Sequence, residues 1–118
     1  MLIDTHCHIF NEYYDDIELV IENAIAAGVG MIVVNGIDRK SNEQVLELVS
    51  KYDIVYGALG IQPEAIEGAL EEDFRFIEEH INGDKIIAVG EIGLDYHYEC
   101  DRQLQKKVFL KQLEIAKK

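Results

Sequence analysis

The sequence predicts an α/β fold built from β-α units with parallel strands. Three observations predict it. Strand-like and helix-like patterns alternate four times along 118 residues, and strict alternation of this kind implies a parallel sheet with right-handed crossovers. Short apolar runs such as Met31-Ile32-Val33-Val34 suit strands buried on both faces of such a sheet. The residues best suited to chemistry, His6, His8, Gln62 and Glu91, all fall at the C-terminal ends of the expected strands, where parallel α/β folds place their sites. Two architectures satisfy the pattern. One is a small open doubly wound sheet; the other is the first half, about four β-α units, of a TIM-type β/α barrel.

The elements follow in order. The first strand is expected near Leu2–Thr5. Asp15, with Glu18 three residues on, opens a helix as a carboxylate capping box. Ile17, Val20, Ile21 and Ala24 recur there at helical spacing, and Gly28 ends the helix. The second strand is Met31–Val34. Ser41 and Gln44 form the next capping box, with Val45, Leu48 and Val49 facing the core of a helix that runs to about Lys51. Ile54–Leu59 is the third strand, and Gly60-Ile61-Gln62-Pro63-Glu64 leaves it as a loop. A third helix spans about Leu70 to Ile81, with Phe74, Ile77 and Ile81 inward, and Asn82-Gly83 terminates it. Ile86–Val89 is the fourth strand, opening into the loop Gly90–Tyr96. The fourth helix starts near Asp101, with an apolar stripe of Leu104, Val108, Phe109, Leu113 and Ala116.

Composition narrows the class. Hydrophobic residues make up 48% and charged residues 29%, as in a globular domain, and one domain accounts for residues 1–118. No apolar stretch reaches the ~20 residues of a membrane helix, and no secretory leader pattern is seen. Two cysteines, Cys7 and Cys100, make no disulfide framework; both are expected as buried reduced thiols, which suits the cytoplasm. Net charge is -12, with the acids concentrated in residues 1–101 and six bases in the last 17 residues. An acidic body excludes nucleic-acid binding through a broad basic face. It leaves open an enzyme whose metal ions supply positive charge locally.

His6 and His8 are separated by one residue on a strand, so both side chains share a face, with Asp4 behind them. Two imidazoles so placed form a candidate divalent-metal grip. Two polar residues at a strand edge would look the same. Glu91, just beyond the fourth strand, would add a carboxylate able to bridge two metals; it is also one of 23 acids. Metals held by such a set activate water for phosphodiester hydrolysis. No phosphate-binding glycine fingerprint follows the first strand.

Three segments then carry a family resemblance. Ile3-Asp4-Thr5-His6-Cys7-His8, Gly60-Ile61-Gln62-Pro63 and Val89-Gly90-Glu91-Ile92-Gly93-Leu94-Asp95-Tyr96 resemble, in order and spacing, the TatD-type metal-dependent deoxyribonucleases. The segment from Val108 to Ala116 is similar too. The match covers the whole chain and about the first half of a family member. The resemblance implies an amidohydrolase-like β/α barrel with two divalent metals at its mouth, Mg²⁺ or Mn²⁺, with Zn²⁺ also suited to the donors. It implies that His6 and His8 bind one metal and that Glu91 bridges to the second. It implies DNA as substrate, cleaved at phosphodiester bonds, often from the 3′ end.

Two departures stand out. The family has histidine where this chain has Gln62, a substrate-side position. Glutamine can hydrogen-bond a phosphate but cannot carry a proton or a charge. The family's remaining ligands, two histidines and a late aspartate, come from strands beyond the fourth. His80, in the third helix, is expected as a surface or helix-end residue and does not replace them; His97, which follows Asp95-Tyr96 in the loop after strand four, is a lesser candidate for touching substrate or metal. Four strands also leave two open sheet edges, so a partner half, self-association, or an inactive metal-binding module are the expectations for the chain on its own.

Overall fold

The computed structural model describes residues 1–118 and contains four β-α units. In chain order they are β1 (Leu2–Cys7), α1 (Ile17–Ala26), β2 (Val29–Asn35), α2 (Arg39–Lys51), β3 (Val55–Leu59), α3 (Glu71–His80), β4 (Ile86–Val89) and α4 (Arg102–Lys117). The strands form one sheet in the order β1-β2-β3-β4, each pair parallel. The predicted α/β class is therefore the observed one. No helix is long and apolar enough to cross a membrane.

The core lies between one face of the sheet and the helices. Val34, Val45, Val55, Leu59 and Ile77 are fully buried there. Gly57 permits this packing, because a Cβ at that position would stand 2.5 Å from the Val45 side chain. Elsewhere the sheet is bare: β1 and β4 each have one unpaired edge, and Leu2 and Ile87 on these strands are 62% and 52% exposed. A parallel sheet is ordinarily covered on both faces, so this surface is that of a half-barrel.

Several boundaries differ from the sequence expectation, each for a local reason. The first strand does not stop at Thr5 but continues through His6 and Cys7, because β2, itself longer than expected, pairs Val34 with Cys7. Helix α1 is capped by Asp16, not Asp15: the Asp16 carboxylate accepts from Leu19 N–H at 3.0 Å. Helix α2 is capped by Asp38, not Ser41. Its carboxylate accepts from Ser41 N–H at 2.9 Å, and Ser41 Oγ accepts from Asp38 N–H at 3.0 Å. Ser41 thus takes the third helical position of the box that it was expected to open. The segment after Gln62 is not all loop, because Pro63–Gly68 forms a 3₁₀ helix, with Pro63 supplying a helical φ at its first position. Both cysteines are free and half-buried rather than buried. Cys7 lies against the core, its Sγ 3.5 Å from Val33 O; burial first, and Asp4 second, push its pKa up to about 12.

Helix α4 gives the largest correction. Leu104, Val108, Phe109, Leu113 and Ala116 were expected inward, but the buried residues are Gln105, Val108, Gln112 and Ile115. Leu113 is 36% exposed and Ala116 is exposed. Two buried glutamines replace apolar contacts because the backbone beneath them needs partners. Gln112 accepts from Ile61 N–H at 2.8 Å and donates to Ile61 O at 2.9 Å. Gln105 does the same for Asp95, at 2.9 and 3.0 Å. These two bridges hold the loops after β3 and β4, the ones that lead to and from the site.

Candidate metal centre

The extended backbone of β1 sends alternate side chains to one face, and this brings His6 and His8 together. Their Nε2 atoms stand 3.2 Å apart, with the rings edge to face at 4.9 Å between centroids. Glu91, just past β4, reaches them from across the sheet. Its Oε2 lies 3.3 Å from His6 Nε2 and 3.2 Å from His8 Nε2. Three donor atoms from the C-terminal ends of β1 and β4 thus form a nearly equilateral triangle.

Each member is placed by identifiable contacts. The His6 N–H donates to Asp4 Oδ1 at 3.1 Å, which puts Asp4 behind the histidines. His8 Nδ1 lies 2.9 Å from the carbonyl oxygen of Asn35, at the C-terminal end of β2, and its ring packs on buried Phe10 at 6.0 Å. Glu91 N–H donates to Gly36 O at 2.7 Å. On the other side, Gly60 touches the Gly90–Glu91 backbone so closely that a Cβ there would stand 2.6 Å from Gly90 C and 2.9 Å from Glu91 N.

The donor set fits a divalent cation. A carbonyl facing His8 Nδ1 requires the proton on that nitrogen, so neutral His8 turns the lone pair of Nε2 toward the centre. That lone pair meets a carboxylate oxygen and a second imidazole nitrogen at 3.2 Å. With His6 protonated at Nδ1 all three atoms are acceptors, and a cation placed among them relieves the cluster. Ligands bonded to a small cation at ~2.0–2.1 Å in tetrahedral array stand ~3.3–3.4 Å apart, close to the edges of this triangle. His6, His8 and Glu91 form the only group of three or more histidine, cysteine or acidic residues suitably placed for a metal. Cys7 points away, into the core.

The other sequence candidates are placed around this centre rather than in it. Gln62 N–H donates to Ile37 O at 2.9 Å, which sets the loop after β3 beside the Gly36 strand end that holds Glu91. The Gln62 side chain is half-buried and makes no hydrogen bond within the chain. His80 is remote on α3, bonded through Nδ1 to Phe76 O at 2.8 Å. His97 is exposed in the loop after β4, outside the donor cluster. The Asn35 carbonyl and the Gly60 contact were not visible in the sequence. A backbone oxygen carries no residue-type signal, and only the Gly60/Gly90 spacing at two strand ends hints at the close approach.

Gly60 yields a direct test. Gly60→Ala is expected to displace Glu91, because its Cβ meets backbone, which cannot swing aside. Manganese affinity, measured by calorimetric titration, should fall about 10-fold, and urea unfolding should show a loss of about 1–3 kcal/mol. Unchanged affinity would show that the centre does not depend on this packing.

Comparison with known proteins supplies the context. A family model described as TatD related DNase matches residues 3–118. The chain is 43% identical over 119 residues to an uncharacterized metal-dependent hydrolase, YabD, of Bacillus subtilis, covering 99% of this chain and 47% of that protein. It is 28% identical to the deoxyribonuclease TATDN3 of Homo sapiens, over 99% of this chain and 48% of the other. Among solved structures, the crystal structure of YjjV, a TatD homologue from Escherichia coli, superposes with a TM-score of 0.87 at 35% identity, covering 98% of this chain and 46% of that one. The chain spans about half the length of these relatives.

Proposed function

The chain belongs to the TatD-related DNase family, and on that premise we propose that it supplies one half of a metal-dependent hydrolase centre acting on the phosphodiester bonds of DNA, from the 3′ end. The observation that carries the reading is the convergence of His6, His8 and Glu91 within 4.8 Å of one another at the strand ends. His6 and His8 would hold one divalent ion, Mg²⁺ or Mn²⁺, and Glu91 would bridge to a second; Zn²⁺ suits the same donors. When bound, paired ions activate water and stabilise the attacking and leaving oxygens of the phosphodiester.

The chain's own residues supply position. The Asn35 carbonyl and Phe10 fix the His8 ring, so that its Nε2 is aimed before any ion arrives. The Gln62 amide faces the substrate side and donates a hydrogen bond to a phosphate oxygen without transferring a proton. The unpaired edges of β1 and β4 favour completion by four further β-α units, from the same polypeptide or another copy, which bring the remaining ligands. In this reading residues 1–118 are the N-terminal part of a barrel domain. The same unpaired edges, open to pairing with another chain, favour a second reading, a module that binds metal and a partner without turnover.

Hydrolysis separates the two. The chain should be joined in place of the matching half of YjjV and given end-labelled single-stranded DNA and bis-p-nitrophenyl phosphate with manganese. The hydrolase reading expects manganese-dependent cleavage by the chimera and little by the chain alone. A folded chimera that binds manganese and cleaves neither substrate would leave only the module. Cleavage of the small diester but not of DNA would retain the chemistry and discard the nucleic-acid substrate.

A further inference from the structure

The largest cleft in the molecule, about 530 Å³, lies next to the metal centre and is not part of it. It is bounded by the start of α2 and by the 3₁₀ helix after β3, with Asp38, Arg39, Lys40, Gln62, Glu64 and Asp73 as its polar lining. A short chain of bonds joins it to the centre, Glu91 N–H to Gly36 O and Gln62 N–H to Ile37 O, so Gln62 stands on the wall between the two.

The polar groups of this cleft are unequally committed. Asp38 is occupied by the cap of α2, accepting from the backbone and hydroxyl of Ser41 at 2.9 and 2.7 Å. Asp73 accepts from Leu70 N–H at 2.8 Å and pairs with Arg39 at 3.5 Å. Arg39 is further held by Glu43 at 2.8 Å and lies over the Phe76 ring at 4.2 Å. What remains free is the Lys40 ammonium, the Gln62 amide and the Glu64 carboxylate. Lys40 is exposed and has no ion pair. The other cations are placed differently. Lys85 binds the Tyr52 and Asp53 carbonyls before β3, at the opposite end of the sheet. Arg102, at the start of α4, lies over the Tyr96 ring at 4.5 Å. In a chain of net charge -12, Lys40 is the one uncommitted cation lining the cleft beside the centre.

We propose that this cleft is a phosphate subsite, in which Lys40 and the Gln62 amide hold a backbone phosphodiester of single-stranded nucleic acid next to the one at the His6–His8–Glu91 centre. The inference rests on the hydrolase reading and extends it to the flanking nucleotide. A strand passing from the centre over Gln62 meets two donors; the unpaired acids nearby are Glu64, on the first turn of the 3₁₀ helix, and exposed Glu12, in the neighbouring groove that Lys40 also lines. Because a lysine reads charge and not base identity, the subsite positions the strand without sequence preference.

The test is the salt dependence of binding to a fluorescein-labelled, nuclease-resistant phosphorothioate octamer of thymidine, with manganese present, followed by anisotropy. Lys40→Gln should weaken binding about five- to tenfold at low salt and flatten the slope of log affinity against log salt by about 0.7, the share of one single-strand phosphate contact. Lys40→Arg should restore both. Lys106→Gln, on the exposed side of α4, should change neither. Manganese titration of the same samples reads the centre separately. If Lys40→Gln keeps the parental slope while octamer and manganese both bind, the subsite is overturned and the hydrolase reading stands. If manganese binds and the octamer does not, the subsite falls together with the nucleic-acid substrate. If the Lys40 effect is seen but manganese does not bind, Lys40 contacts nucleic acid with no metal centre beside it, and the subsite falls with the hydrolase reading on which it rests.

Discussion

Replacing Glu91 by glutamine is expected to lower the chain's affinity for manganese by about 100-fold or more while leaving its fold intact. Changes merely to the hydrogen-bond partners of metal ligands already cost 10–100-fold, and Glu91 is the sole anionic donor in the triangle of His6, His8 and Glu91. The amide keeps the shape of the carboxylate but not its charge. The backbone bond from Glu91 N–H to Gly36 O is untouched, and the side chain is 31% exposed, so urea unfolding should shift by no more than about 0.5 kcal/mol. The histidines should not be equivalent. His8 is oriented by the Asn35 carbonyl and packed on Phe10, whereas the His6 side chain is 53% exposed and has no ring partner besides His8. His8→Ala is therefore expected to cost more affinity than His6→Ala, since it removes the ligand whose entropy is already lost in the fold. Calorimetric titration of the three variants decides the matter. Affinity within threefold of the parent for Glu91→Gln would mean that the triangle is not a metal centre.

The convergence of His6, His8 and Glu91 was legible in the sequence because each obeys a rule that needs no tertiary information. His6 and His8 share a face by the two-residue period of a strand, and Glu91 follows a buried apolar run at the end of a parallel strand. The four β-α units were legible for the same reason. What was not legible depends on backbone groups or on competing local partners. Asp38 and Ser41 are both good caps, and only the path from β2 into α2 decides that Asp38 takes the role. The Asn35 carbonyl orients His8, yet every residue carries a carbonyl. Lys40 reads as one of several surface lysines until Asp38 and Asp73 beside it are seen to be engaged. On α4 the apolar pattern itself misled. Residues 105, 108, 112 and 115 form a helical stripe as regular as the expected one, but two of them are glutamines, and counting apolar residues passes over them.

That misreading defines the change expected to cost the most stability. Gln112→Leu makes the stripe of α4 more apolar and should nevertheless destabilise the chain by about 1–5 kcal/mol, read from urea unfolding. Gln112 is 1% exposed, and both ends of its amide are engaged by Ile61, whose N–H and C=O are buried with it. Leucine fills a similar volume but leaves one donor and one acceptor without water or partner, each costing about 1–3 kcal/mol. The gain in burying a few extra apolar atoms, about 1 kcal/mol, does not offset this. The loss should also reach the site, because Ile61 precedes Gln62, and a freed loop no longer fixes the wall between the metal centre and the cleft. Leu113→Gln is the informative partner. Leu113 is 36% exposed, so the reverse substitution one residue along should cost no more than about 0.5–1 kcal/mol. If Leu113→Gln proved the costlier of the two, the apolar stripe would be the real packing face of α4, and the glutamine bridges would be incidental to the fold.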